Sequence, residues 1–120
     1  MNKDWVQTTK DMSVALKQLR GGAPAVMQGF SAIAQAALKA NALDTNTKTK
    51  ELIALAIAVA TRCDGCIAFH AEAAVKQGAS REEVLETMGM AIYMGAGPSV
   101  MYAAQALEAF DQFQDIKTSA

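Results

Sequence analysis

The sequence predicts an all-α protein, and three observations carry that expectation. Alanine, the strongest helix former, occurs 25 times in 120 residues, and it lets helix axes approach closely. Runs of β-branched residues are short. There are only two prolines, and each follows a Gly-containing break and opens an Ala-rich stretch, where its missing N–H costs nothing.

Six helices are expected. The first runs from Asp4 to about Leu19, with an apolar face through Trp5, Met12, Leu16 and Leu19, and RGG ends it. The second opens at Pro24 and runs to about Ala40, with Val26, Met27, Phe30, Ile33, Ala34, Ala37 and Leu38 facing inward. The polar break NALDTNT follows. The third covers roughly Lys48 to Thr61, with charge at its ends and no polar face between them, so it is expected to be buried on all sides. The fourth begins near Asp64 and ends at Gly78, a favoured residue just past a helix end.

Ser80 and Glu83 form a capping box for the fifth, which runs to about Met94 with Val84, Leu85, Met88 and Ile92 inside. GAGP breaks it, and Pro98 starts a sixth helix to about Phe113, followed by the frayed polar tail QDIKTSA. APAVM at 23–27 and GPSVM at 97–101 echo each other, as a duplicated helical hairpin or as two helices sharing a Pro start. No linker, low-complexity tract or charge block divides the chain, so one domain over residues 1–120 is expected.

Composition narrows the function. A net charge of −1 with scattered lysines and arginines argues against nucleic-acid binding. The longest apolar stretch, LIALAIAVA from Leu52 to Ala60, is nine residues, against about 20 for a bilayer span. No membrane association is expected. The start of the chain has no apolar core of signal-peptide length, so a cytoplasmic location is expected. There, two cysteines suggest catalysis or metal binding rather than a structural staple.

Both cysteines and the only histidine fall in CDGCIAFHA, residues 63–71. At a helix start, Cys63 and Cys66 would have Cα atoms about 5–6 Å apart, within reach of a disulfide. The first turn supplies unpaired N–H groups and the positive end of the dipole, and both stabilise a thiolate. His70 is four residues beyond Cys66, on the same helix face, where imidazole can take its proton. Cys66 is then the activated thiol and Cys63 the partner that closes the disulfide.

Other readings of the cluster have weaker support. Zinc would need a fourth ligand, and only a carboxylate or water could supply it. Covalent haem attachment needs His directly after the second Cys, where Ile67 stands. Two inert core thiols remain an alternative. No cofactor is expected.

Glu51 stands at the edge of the buried apolar run, where a carboxylate suits a helix start. Twelve residues separate it from Cys63, or about 18 Å of helix. An antiparallel fourth helix returns about 10 Å by His70, leaving roughly 8 Å along the axis. A contact between Glu51 and His70 is permitted but not demanded.

ELIALAIAVATRCDGCIAFHAEAAVKQGAS resembles the alkyl hydroperoxidase D-like branch of the carboxymuconolactone decarboxylase family. The shared pattern is Glu, eleven residues, then CxxCxxxH: Glu51, Cys63, Cys66 and His70. EEVLETMGMAIYMGAGPSVMYAAQALEAF looks like the family's next two helices, and the likeness covers roughly residues 20 to 110. It implies an all-helical fold with a buried central hairpin and assembly as a trimer or hexamer. It also implies thiol peroxidase or disulfide reductase activity, with the Glu and His relaying protons to the dithiol. Two departures stand out. Gly65 occupies the position of a histidine in alkyl hydroperoxidase D itself, so one member of that relay is missing. The chain is also shorter than that protein. The decarboxylases proper generally lack the CxxC pair.

The expected function is therefore reduction of a hydroperoxide, or of a partner disulfide such as that of a peroxiredoxin, with a thiol reductant restoring the pair. Two alternatives are a non-redox lactone enzyme using His70 and Glu51 as acid and base, and a non-enzymatic redox-sensing oligomer. A homo-oligomer is also expected from excess apolar faces, including Met88, Met90, Met94 and Met101.

Overall fold

The computed structural model describes residues 3–39, 42–44 and 46–119. Every regular element among them is helical: α1 (Trp5–Gly22), α2 (Pro24–Lys39), α3 (Lys48–Ala60), α4 (Asp64–Lys76) and α5 (Arg81–Ser119). The expected end of α2 at Ala40 lies outside the described residues.

Local chemistry explains the boundaries. Asp4 caps α1 by accepting the Gln7 N–H at 2.9 Å. The helix runs through Arg20-Gly21-Gly22 rather than ending there, and stops at Ala23 because Pro24 forces the preceding residue out of helical geometry (φ −136°, ψ 62°). The Thr47 side chain does not cap α3; Asn46 accepts the Lys48 N–H at 3.0 Å and Asp44 the Thr49 N–H at 2.8 Å. The Thr49 bonds hold the Asp44 carboxyl below its ordinary value. Ser80 and Glu83 form the expected reciprocal box, with Ser80 N–H donating to Oε1 of Glu83 (2.8 Å) and Glu83 N–H to Oγ of Ser80 (3.1 Å).

The break expected at GAGP is a sharp bend rather than a gap. Ala96 sits at φ 55°, ψ −139° inside α5, so the two expected helices meet end to end and fold back on each other. Arg81 and Asp111, equidistant from Ala96 in sequence, form a two-pronged ion pair at 3.0 and 3.2 Å. Leu85, Met88 and Ile92 share a groove with Val100, Ala103 and Leu107. The second arm stays helical through the tail expected to fray, ending at Ser119.

The core lies among α3, α4 and α5. Leu55, Val59, Ile67, Val84 and Phe110 are fully buried there, and Trp5 of α1 joins them. Alanines at 68, 71, 74, 106 and 109 let the axes approach closely.

Three burial expectations are corrected. No residue of α2 is buried: Val26 is 72% exposed and Ile33 69%, and α2 packs mainly on α1. Nor is α3 covered all round, since Ile53 and Ile57 face outward beside α2's exposed face. Leu85, expected inside, is also exposed. Amphipathic spacing reports that a face is apolar, not which chain covers it.

Candidate functional site: a dithiol, a histidine and a carboxylate

The turn from α3 to α4 places the dithiol. Arg62 adopts a left-handed conformation (φ 56°) just past the end of α3. Its N–H donates to Val59 O at 3.2 Å, and the Cys63 N–H to Ala58 O at 3.0 Å. This helix stop leaves Cys63 extended as the N-cap of α4, with its sulfur accepting the Cys66 N–H at 3.3 Å. A cysteine thus occupies a position usually held by Ser or Asp, directly over the positive end of α4. The Cys63 and Cys66 sulfurs are joined, with Cα atoms 5.2 Å apart.

One turn further, His70 meets α3. Its Nδ1 lies 2.6 Å from Oε1 of Glu51. A carboxylate only accepts, so Nδ1 carries the proton and Nε2 is left as the basic nitrogen. Glu51 is only 6% exposed, whereas His70 is partly open. The 8 Å left over in the axial arithmetic is thus closed.

Two apolar clefts meet at His70. One, of about 210 Å³, is lined by Ala54, Ile57, Ala58, Thr61, Cys66 and His70. The other, of about 350 Å³, adds Leu38, Lys50 and Glu51. All four residues singled out in the sequence therefore come together: the joined pair at the start of α4, His70 sharing a cleft with Cys66, and Glu51 behind His70.

Sequence reasoning missed the contribution of α1. Just ahead of α1, Lys3 pairs with the carboxylate of Asp64, the first residue of α4. Met12 covers Gly65: a Cβ added there would lie 3.7 Å from both Cγ and Cε of Met12. A side chain at position 65 would therefore abut α1. No spacing rule connects residues 61 positions apart.

An all-helical fold with a CxxC pair, a histidine one turn on and a buried carboxylate behind it defines a class of small helical proteins. A model of the carboxymuconolactone decarboxylase family matches residues 24–109, and the chain belongs to that family. Among solved structures, it is similar to a carboxymuconolactone decarboxylase family protein from Legionella pneumophila. The two are 57% identical, with a TM-score of 0.87, over 92% of this chain and 96% of that one. An uncharacterized protein of Haemophilus influenzae is 44% identical over 92% of this chain and 96% of its own. An uncharacterized protein of Cupriavidus necator is 42% identical over 73% of this chain and 76% of its own.

Proposed function

We propose that the protein is a CxxC-dependent antioxidant oxidoreductase that reduces organic hydroperoxides. His70, held by Glu51, takes the proton of Cys66. The Cys66 thiolate attacks the terminal peroxide oxygen, the O–O bond breaks, and the alkoxide leaves with the proton from His70. Cys66 is then a sulfenic acid. Cys63 displaces its hydroxyl as water and closes the disulfide. Two external thiols, or one dithiol reductant, take up the oxidation and restore the pair. In the reduction, Cys63 is the better leaving group, because the Cys66 N–H and the helix dipole stabilise its thiolate.

The observation that carries this reading is the 2.6 Å Glu51–His70 contact, with His70 lining one cleft together with Cys66. A base fixed in one tautomer beside a closable dithiol suits two-electron thiol chemistry. The apolar lining of both clefts favours a hydroperoxide with an alkyl tail over hydrogen peroxide. The test is cumene hydroperoxide consumption by the reduced protein, beside Cys63→Ser and Cys66→Ser. Loss of turnover in both variants is expected; undiminished turnover in Cys66→Ser contradicts the reading.

A homo-oligomer, trimeric or hexameric, is part of the proposal. The chain exposes 7373 Å². A compact monomer of 12.7 kDa exposes about 6,200 Å² by the usual scaling. The excess of about 1,100 Å² exceeds the ~800 Å² that each partner buries in a standard interface. Uncovered apolar residues lie on α2 and α3 and around the bend of α5, where Tyr93, Met94 and Met101 are exposed. Sedimentation at micromolar concentration is expected to show no monomer; a stable monomer contradicts this part.

A further inference from the structure

The segment ahead of α1 is clamped in place. The Gln112 amide on α5 grips it twice, accepting the Trp5 N–H at 2.7 Å and donating to Lys3 O at 2.7 Å. The Trp5 ring is fully buried, and its Nε1–H donates to Glu108 at 3.1 Å. The Lys3 ammonium lies 4.5 Å from the centre of that ring and reaches the carboxylate of Asp64. Asp64 is the residue between the N-capping Cys63 and Gly65. The backbone of Lys3 and its ammonium are thus each held, and the charge is delivered to the first turn of α4 from 61 residues away in sequence.

We propose that Lys3 is a positioning residue for the dithiol: its ammonium, fixed beside Asp64, offsets the carboxylate next to Cys63 and raises the reduction potential of the Cys63–Cys66 pair. The inference deepens the redox reading of that pair and rests on it.

The physical reason is the charge made by reduction. The disulfide is neutral; reducing it with two thiols yields one disulfide of the reductant and a dithiol that is partly thiolate. The thiolate at Cys63 forms next to Asp64, a like charge in the adjacent residue, which disfavours it. A cation held on that carboxylate removes the repulsion and favours the reduced state, as electropositive surroundings generally do for CxxC pairs. Other charged residues lie nearby. Arg62 precedes Cys63 in sequence, His70, paired with Glu51, lines a cleft with Cys66, and Glu108 accepts from Trp5. Met12 over Gly65 adds an apolar wall and no charge. The Lys3 and Asp64 side chains are 36% and 45% exposed, so solvent and salt weaken the effect without removing it.

The test is equilibration of the full-length protein in glutathione redox buffers at pH 8, with the fraction of disulfide read by alkylation. Lys3→Met is expected to make the disulfide harder to reduce by about threefold in the equilibrium constant. That corresponds to about 14 mV more negative, at about 30 mV per tenfold change for a two-electron couple. Asp64→Asn is expected to shift the potential in the opposite direction, Lys3→Arg to leave it in place, and 1 M NaCl to shrink both shifts. A merely structural strap would move Lys3→Met and Asp64→Asn the same way, so shifts of the same sign overturn the proposal. Unmoved potentials overturn it too. Because no peroxide enters this measurement, a wild-type protein that fails to consume hydroperoxide sinks the peroxidase reading alone.

Discussion

Nδ1 of His70 and Oε1 of Glu51 stand 2.6 Å apart, joining α4 to α3 across 19 residues of sequence. The contact fixes which imidazole nitrogen is basic and holds the ring in one orientation, with Cys66 on the same cleft wall. Glu51→Gln keeps the size of the side chain and removes its charge, so His70 loses the charged acceptor that orients its ring. Hydroperoxide turnover is expected to fall by about 10²-fold, in the range for loss of general acid–base assistance. Steady-state kinetics on the folded variant check it; a change of less than about twofold would separate Glu51 from the chemistry.

The bend in α5 depends on Gly95. A Cβ there would fall 1.9 Å from Oγ and 2.9 Å from Cβ of Ser99, itself buried. Gly95→Ala is expected to destabilise the protein by about 1–3 kcal/mol through overpacking, read as a lower urea midpoint. An unchanged midpoint would mean that the two arms part at no cost.

Two helix ends share one stop motif but differ in its central residue. Gly78 (φ 83°) ends α4 with the Ala79 N–H donating to Ala74 O, as Arg62 (φ 56°) ends α3 with Cys63 and Ala58. Arg62→Gly is expected to stabilise by about 0.5–1 kcal/mol, and Gly78→Ala to destabilise by about 1 kcal/mol. Thermal melts of the two variants should move in opposite directions.

The Glu83 carboxyl is held below its ordinary value, first by the Ser80 N–H and then by Lys48. Because its folded value is depressed, this group's contribution is present above the unfolded value and lost as pH falls through the folded one. Glu83→Gln should therefore lower stability near pH 7 and converge with wild type in strongly acidic buffer. Urea titrations at both pH values check it; a gap of constant size would rule out an ionic origin.

The helices were legible because their signals are local. Pro24, the Ser80–Glu83 box and Gly78 act within a few residues, and each acts as expected. Helix pitch brought Cys66 and His70 onto one face for the same reason. Glu51 was reachable only as a permitted contact, because a crossing angle is set by packing between helices. Less legible were the features decided by distant residues. The outward faces of α2 and α3 reflect which surfaces the core occupies, and the Lys3–Asp64 pair depends on Gln112 and Trp5. Arg62 in a left-handed turn broke the expectation of glycine at a helix stop, so the α3–α4 junction had no marker of its own.

The most direct test of the central claim is a single-turnover reaction of the fully reduced protein with one equivalent of cumene hydroperoxide, resolved by intact mass. Loss of two hydrogens is expected in the wild type as the Cys63–Cys66 disulfide closes. A trapped sulfenic acid on Cys66 is expected in Cys63→Ser, and no oxidation on this timescale in Cys66→Ser. Sulfenic acid formed at equal rate on Cys63 in Cys66→Ser, or a wild-type dithiol left reduced, would contradict it.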